Sequence, residues 1–214
     1  DNGLDAAESV GPGKAEVIGE VPLADGKQGK GAVFEGGAYL TFDAAGNFDQ
    51  NEGTLAMWVK PFWDSANQAY SITGGYEPDE WVQGLFEVPL STEKGFGEAF
   101  VITKGWTTTV NPDAFYVTNS PPWRHINPQV VFGAHGWIHL IFTWSQRSGV
   151  LRTYANGRLA GAGRWDTPKY PSSEGRKIVV GARVTAGEPA VASADAVFDE
   201  LQIFDRLVTR AEAW

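Results

Sequence analysis

The chain has 214 residues, of which 43% are hydrophobic and 13% aromatic, ample for a dry core and too much for a disordered segment. Its 26 acidic side chains outnumber 17 basic ones, a net charge of −9 that repels phosphate backbones and anionic headgroups and argues against nucleic acid as a partner. Cysteine is absent, which removes disulfides, thiolate metal sites and cysteine nucleophiles together, and no run of about 18 apolar residues is present to insert into a membrane.

This length suits a single β-sandwich, so one domain over 1–214 is expected. The chain begins at Asp1 without Met or an apolar leader, and a piece of a longer protein, with other domains of the same chain as neighbours, is the expectation. The 26 Gly and 12 Pro are scattered and cut the sequence into short β-branched and aromatic runs, the punctuation of an all-β fold. In chain order, strands are expected at 33–34 and 38–42, and then at 54–60, T-L-A-M-W-V-K. There Leu55, Met57 and Val59 share one face and Ala56 and Trp58 the other. Pro61 should end that strand, because proline cannot donate to a ladder.

Residues 62–130 carry six prolines from Pro78 to Pro128, with strands expected only at 84–88, 98–103 and 114–118 and long loops between them. Order returns at 136–144, G-W-I-H-L-I-F-T-W, where Ile138, Leu140, Phe142 and Trp144 form one apolar face. Strands at 150–155 and from 158 complete a meander through Asn156-Gly157, the pair most at ease with the two positive φ angles of a type I′ turn. Two more strands are expected at 177–181 and 197–204, and Thr209 to Glu212 match a capping box that would open a helix.

Four ordered stretches resemble the laminin G-like domains of the concanavalin A-like lectin/glucanase group. They are G-K-G-A-V-F-E-G at 29–36, G-T-L-A-M-W-V-K-P at 53–61, G-W-I-H-L-I-F-T-W with the following Y-A-N-G-R-L, and I-V-V-G-A-R with the later V-F-D-E-L-Q-I-F-D-R-L-V-T. The resemblance implies a jelly-roll β-sandwich of two curved antiparallel sheets. It also implies a secreted, surface-attached or periplasmic setting, in a bacterial protein. Residues 62–130 match the family least, so individual function is expected there.

The two closely spaced acids of the fold's glycanases, E-x-D-x-x-E or E-x-D-x-E, are missing. Asp199 and Glu200 are adjacent and on a regular strand point to opposite faces, whereas retaining hydrolysis needs two carboxyls about 5 Å apart. A non-catalytic role in binding carbohydrate is therefore expected. The alternatives are a protein-protein adhesion or spacer module, and a glycan hydrolase or lyase with an atypical pair such as Glu80 and Glu87. Sugar binding stacks an aromatic ring on the C–H face of a pyranose while polar groups fix the hydroxyls. Tyr76, Trp81, Trp106, Tyr116 and Trp123, with Arg124 and His125, are the candidates; Trp58, Trp137 and Trp144 are assigned to packing, and His139 to a satisfied structural role.

The acidic excess reads either as solubility or as carboxylates that collect a hard cation such as calcium. By analogy with the fold group, Asp199 is the candidate for a structural calcium ion, with solvation or turn capping as the competing roles. The loop 43–53 offers Asp43, Asn47, Asp49, Asn51 and Glu52 but lacks the spacing of an EF-hand.

Overall fold

A computed structural model describes residues 3–64, 83–89, 99–104, 115–119, 124–126, 128, 130–164, 173–184, 192–209 and 212, and among these there is no helix. The first strands are β1 (Glu16–Ile18), β2 (Leu23–Asp25), β3 (Lys30–Phe34), β4 (Tyr39–Asp43) and β5 (Glu52–Pro61). The middle of the chain supplies β6 (Gln83–Pro89), β7 (Ala99–Lys104), β8 (Phe115–Asn119), β9 (Arg124–Ile126) and β10 (Ile138–Ser145). The remainder forms β11 (Val150–Ala155), β12 (Arg158–Arg164), β13 (Lys177–Val180), β14 (Ala182–Arg183), β15 (Ala192–Ser193) and β16 (Ala196–Phe204). Two seven-stranded antiparallel sheets result, the first in the order β1-β4-β13-β6-β7-β8-β9 and the second β12-β11-β10-β5-β16-β3-β2, with β14 and β15 as a separate ribbon.

Period-two alternation makes the sandwich. Leu55, Met57 and Val59 of β5 face inward beside Leu140, Phe142 and Trp144 of β10, their ladder partners or neighbours, and all are at most 1% exposed. Phe86 and Val88 of β6 and Phe100 and Ile102 of β7 meet them from the first sheet in one continuous core. Phe48, carried between β4 and β5, fills the middle, with ring centroids 5.2 Å from Phe100 and 5.4 Å from Trp144. The Trp144 indole also donates from Nε1 to the Asp49 carbonyl at 2.9 Å, which ties that connection to the core.

The meander forms as expected. Ala155 pairs with Arg158 across a two-residue turn in which Asn156 and Gly157 have φ of 46° and 71°. Asn156 also joins the turn to β10: its Oδ1 accepts from the His139 N–H at 2.9 Å and its own N–H donates to the His139 carbonyl at 2.8 Å. β12, an edge strand, presents glycine inward where β9 crosses beneath it. A Cβ on Gly163 would lie 2.4 Å from Ile126, and one on Gly161 2.9 Å from Pro128. These two glycines let the two sheets close along that side.

β16 contains a bulge between Asp199 and Gln202, centred on Glu200 at φ 51°. Unbroken alternation from Phe198 would turn Glu200 and Gln202 into the core; the extra residue turns Leu201 and Ile203 inward instead. Pro61 is the last residue of β5 and pairs with Ala196, one position beyond the expected end. The three-residue strands β1, β2 and β9 and the ribbon β14–β15 were not expected, because two or three residues are too few to display alternation. At the C-terminal end, the Thr209 N–H donates to the Glu212 carboxylate at 2.7 Å, the return bond of a capping box. That bond and the Arg206 guanidinium hold the Glu212 pKa down at about 2.

Candidate functional site

The first sheet presents an outward face crossed by one continuous row of ladder partners: Glu16, Thr41, Val179, Glu87, Val101, Thr118 and His125. Partners opposite one another across an antiparallel ladder share a face. The row therefore brings His125 to the same side as Glu87, about 14 Å away across three strand spacings. Tyr116 takes the same face one step along β8, opposite Thr103, whereas Arg124 sits opposite Asn119 in the alternate register. Three of the candidate sugar-binding positions, Tyr116, Arg124 and His125, thus lie on the neighbouring strands β8 and β9.

The other candidates, Tyr76, Trp81, Trp106 and Trp123, lie outside the described residues.

The middle of this face is covered. Glu87 is 0% exposed and Val179 only 2%, because β14 crosses directly over β6. Gly84 permits the crossing, since a Cβ there would lie 2.1 Å from the Arg183 backbone nitrogen. The Val184 N–H donates to the Glu87 carboxylate at 2.6 Å, so this acid anchors the covering ribbon. Nearby, the Gln83 Oε1 and Ser193 Oγ are buried without a hydrogen-bond partner.

The outward face of the second sheet carries an aromatic group, as the alternation along β5 implies. Trp144 is a core residue as expected, but Trp58 turns outward, its ring stacked on His139 at 4.7 Å and 27°. The Lys27 ammonium lies over the Trp58 ring at 4.4 Å and Lys60 over Trp137 at 5.0 Å. These tryptophans pack as assigned, but on the outside of the sandwich. Burial lowers the His139 pKa from its ordinary 6.5, so the folded state favours the neutral ring. Its contribution to stability is therefore whole above about pH 6.5 and is lost as pH falls through the depressed folded value. His139→Gln is expected to flatten the fall in melting midpoint between neutral pH and about pH 5; parallel curves for the two proteins would refute this.

Asp199 is 9% exposed and both its oxygens accept backbone N–H groups, Oδ2 from Gln28 at 2.8 Å and Oδ1 from Glu200 at 2.9 Å. It fastens the β2–β3 turn to the bulge of β16, and Gly26 is required beside it because a Cβ there would stand 2.5 Å from Oδ2. Among the described residues no group of three or more His, Cys, Asp or Glu is placed to hold a metal, so a cation at Asp199 would have to draw its other ligands from carbonyl, amide or hydroxyl oxygens. In the loop 43–53 the oxygen donors are dispersed into structure. Asp43 pairs with Lys177 at 2.9 Å, Asn47 binds Gly11 and Pro12, Asp49 caps Asn51, and Glu52 accepts from Ser145.

A laminin G-type model described as the concanavalin A-like lectin/glucanases superfamily matches residues 34–213, and the chain belongs to that family. No curated protein sequence matches at a significant level. Among solved structures, domain 4 of AbnA, a GH43 extracellular arabinanase from Geobacillus stearothermophilus in complex with arabinotriose, is similar with a TM-score of 0.63 and 20% identity, over 94% of this chain and 86% of that one. The binding domain of botulinum neurotoxin DC in complex with SialylT aligns with a TM-score of 0.58 and 11% identity, over 93% of this chain. The serotype D binding domain gives 0.58 and 11% over 92%. The chain spans 44% of each neurotoxin domain, and at these identities the likeness is one of fold. No helix among the described residues is long and apolar enough to cross a membrane.

Proposed function

We propose that this chain is a single non-catalytic carbohydrate-recognition domain of a longer extracellular or surface protein, binding a glycan on the outward face of the first sheet at its β8–β9 margin. The observation that supports the reading is the ladder register, in which Tyr116 pairs with Thr103 on β7 and His125 with Thr118 on β8, so that two of the candidate positions lie on neighbouring strands. An aromatic residue with polar residues on the adjoining strand is the composition that a pyranose site draws on. Family membership supports it, as does the complex of a similarly folded arabinanase domain with arabinotriose. The burial of Glu87 under β14 opposes a hydrolytic role, because a carboxyl with no exposed surface meets no glycosidic oxygen.

Glycan-array binding followed by calorimetry tests this, with linear arabino-oligosaccharides among the probes. Changing Tyr116, Trp81, Trp106 and Trp123 singly to Ala is expected to weaken binding about tenfold or more at the residues that stack, with melting midpoints retained. Absence of binding to any glycan, or losses that track unfolding, would remove the proposal. Turnover of a bound polysaccharide would replace it with an enzymatic one. For Asp199, the contacts favour a turn cap, so chelation is expected to leave the melting midpoint unchanged. A bound calcium ion would instead raise the midpoint, since a ligand held only by the folded state stabilises it.

A further inference from the structure

Among the described residues, the sandwich is open at the end where β4 and β16 finish. A cleft of about 910 Å³ opens there between the sheets, with Phe42 and Ile178 on one wall and Leu201 and Ile203 on the other. These are core-facing positions, yet Phe42, Leu201 and Ile203 remain partly exposed, while Leu55, Phe100 and Phe142 on the same inner faces are sealed at 0%. The bulge at Glu200 creates this wall by turning Leu201 and Ile203 inward beyond it. The N-terminal segment forms a third side, clipped by the Gly11 N–H donating to Asn47 Oδ1 and by Asn47 Nδ2 donating to the Pro12 carbonyl, both at 2.9 Å. The cleft therefore has fixed walls and the size of a small-molecule pocket, roughly 300–1,000 Å³.

The rim selects the ligand by charge. The neutral polar groups there are engaged, Ser9 Oγ with the Gly11 carbonyl and Ser173 Oγ with the Ala44 carbonyl, which leaves them few bonds for sugar hydroxyls. The titratable groups among the described lining residues are Glu8, Asp49 and Asp205, all carboxylates. The adjacent Arg206 is turned to Glu212 at 2.9 Å and does not line the cleft. An apolar interior under an acidic rim complements a positively charged group on an apolar body.

We infer that this cleft binds an organic cation of the alkyl- or arylalkyl-ammonium class, with its hydrocarbon part between the sheets and its ammonium at Glu8 and Asp205. The site is separate from the glycan surface proposed above and stands or falls independently of it. Calorimetric titration with phenylbutylammonium is expected to show saturable binding, about tenfold tighter than phenylbutanoate of the same shape. Ile203→Trp, which fills the cleft, should abolish binding. The double variant Glu8→Gln with Asp205→Asn alters only exposed side chains and should weaken the amine several-fold while leaving phenylbutanoate no weaker. Glycan binding should be unchanged in both variants. No saturable binding of the amine, equal affinity for the carboxylate, or unchanged affinity in the double variant would each overturn the inference. If Ile203→Trp fails to fold, the double variant decides.

Discussion

Trp144→Ala is expected to destabilise the protein by about 3–5 kcal/mol, the range for removing a large aromatic from a core. The indole is 0% exposed, lies 4.7 Å from the Phe100 ring, and donates its Nε1 proton to the Asp49 carbonyl. Truncation leaves a cavity between the sheets and a buried carbonyl without its donor, so the transfer and hydrogen-bond losses add. Equilibrium urea denaturation measures the change. Trp144→Phe should recover much of the packing without the hydrogen bond and fall between the two. A loss below about 1 kcal/mol for the alanine variant would mean that the middle of the sandwich is not built around this residue.

Gly181→Ala is expected to cost nearly as much, about 3 kcal/mol, although it adds only a methyl group. Gly181 joins β13 to β14 at φ 88°, where an L side chain is strained, and its Cβ would fall 2.2 Å from the buried Phe34 ring. The Gly181 N–H also donates to the Leu85 carbonyl and its own carbonyl accepts from Ala194, so the backbone cannot simply swing away. Thermal melts of Gly181→Ala beside Phe34→Leu and the double variant separate the causes. If the clash dominates, the smaller side chain should rescue part of the loss; if backbone strain dominates, the two costs should add.

The strands legible in the sequence are those whose two faces meet different environments. Leu55, Met57 and Val59 alternate with Ala56 and Trp58 because one side enters the core, and β10 displays the same contrast. Asn156-Gly157 announced its hairpin because few residue pairs tolerate its dihedral angles. What escaped was set by partners distant in sequence. The outward Trp58 finds His139, 81 positions along by residue number (139 − 58), and Lys27, and no local pattern encodes that stack. Similarly, Glu87 reads as an exposed strand acid until β14 is laid across it, with Gly84 the only local hint of a close approach.

The candidate site was legible only in part, for a related reason. Composition marks 62–130 as rich in aromatics, but which of its positions become neighbours depends on ladder register, which pairs Tyr116 with Thr103, His125 with Thr118 and Arg124 with Asn119. Asp199 shows the same dependence on distant partners. Its oxygens accept two amide protons, one of them from Gln28 at the far end of the chain, that fix a turn and a bulge. A carboxylate becomes identifiable as cap or ligand only when the groups around it are known.

The margins of the sandwich bear on how such a module can sit beside others. Among the described residues the outer strands β1, β2 and β9 each span three residues, which offers little unpaired backbone to a stranger's strand. The fourth, β12, is longer but begins and ends in Arg158 and Arg164 and carries no inward side chain at Gly161 or Gly163. Margins this brief give a neighbouring copy little backbone to extend, and the broad faces are what the described strands leave for contact with other molecules.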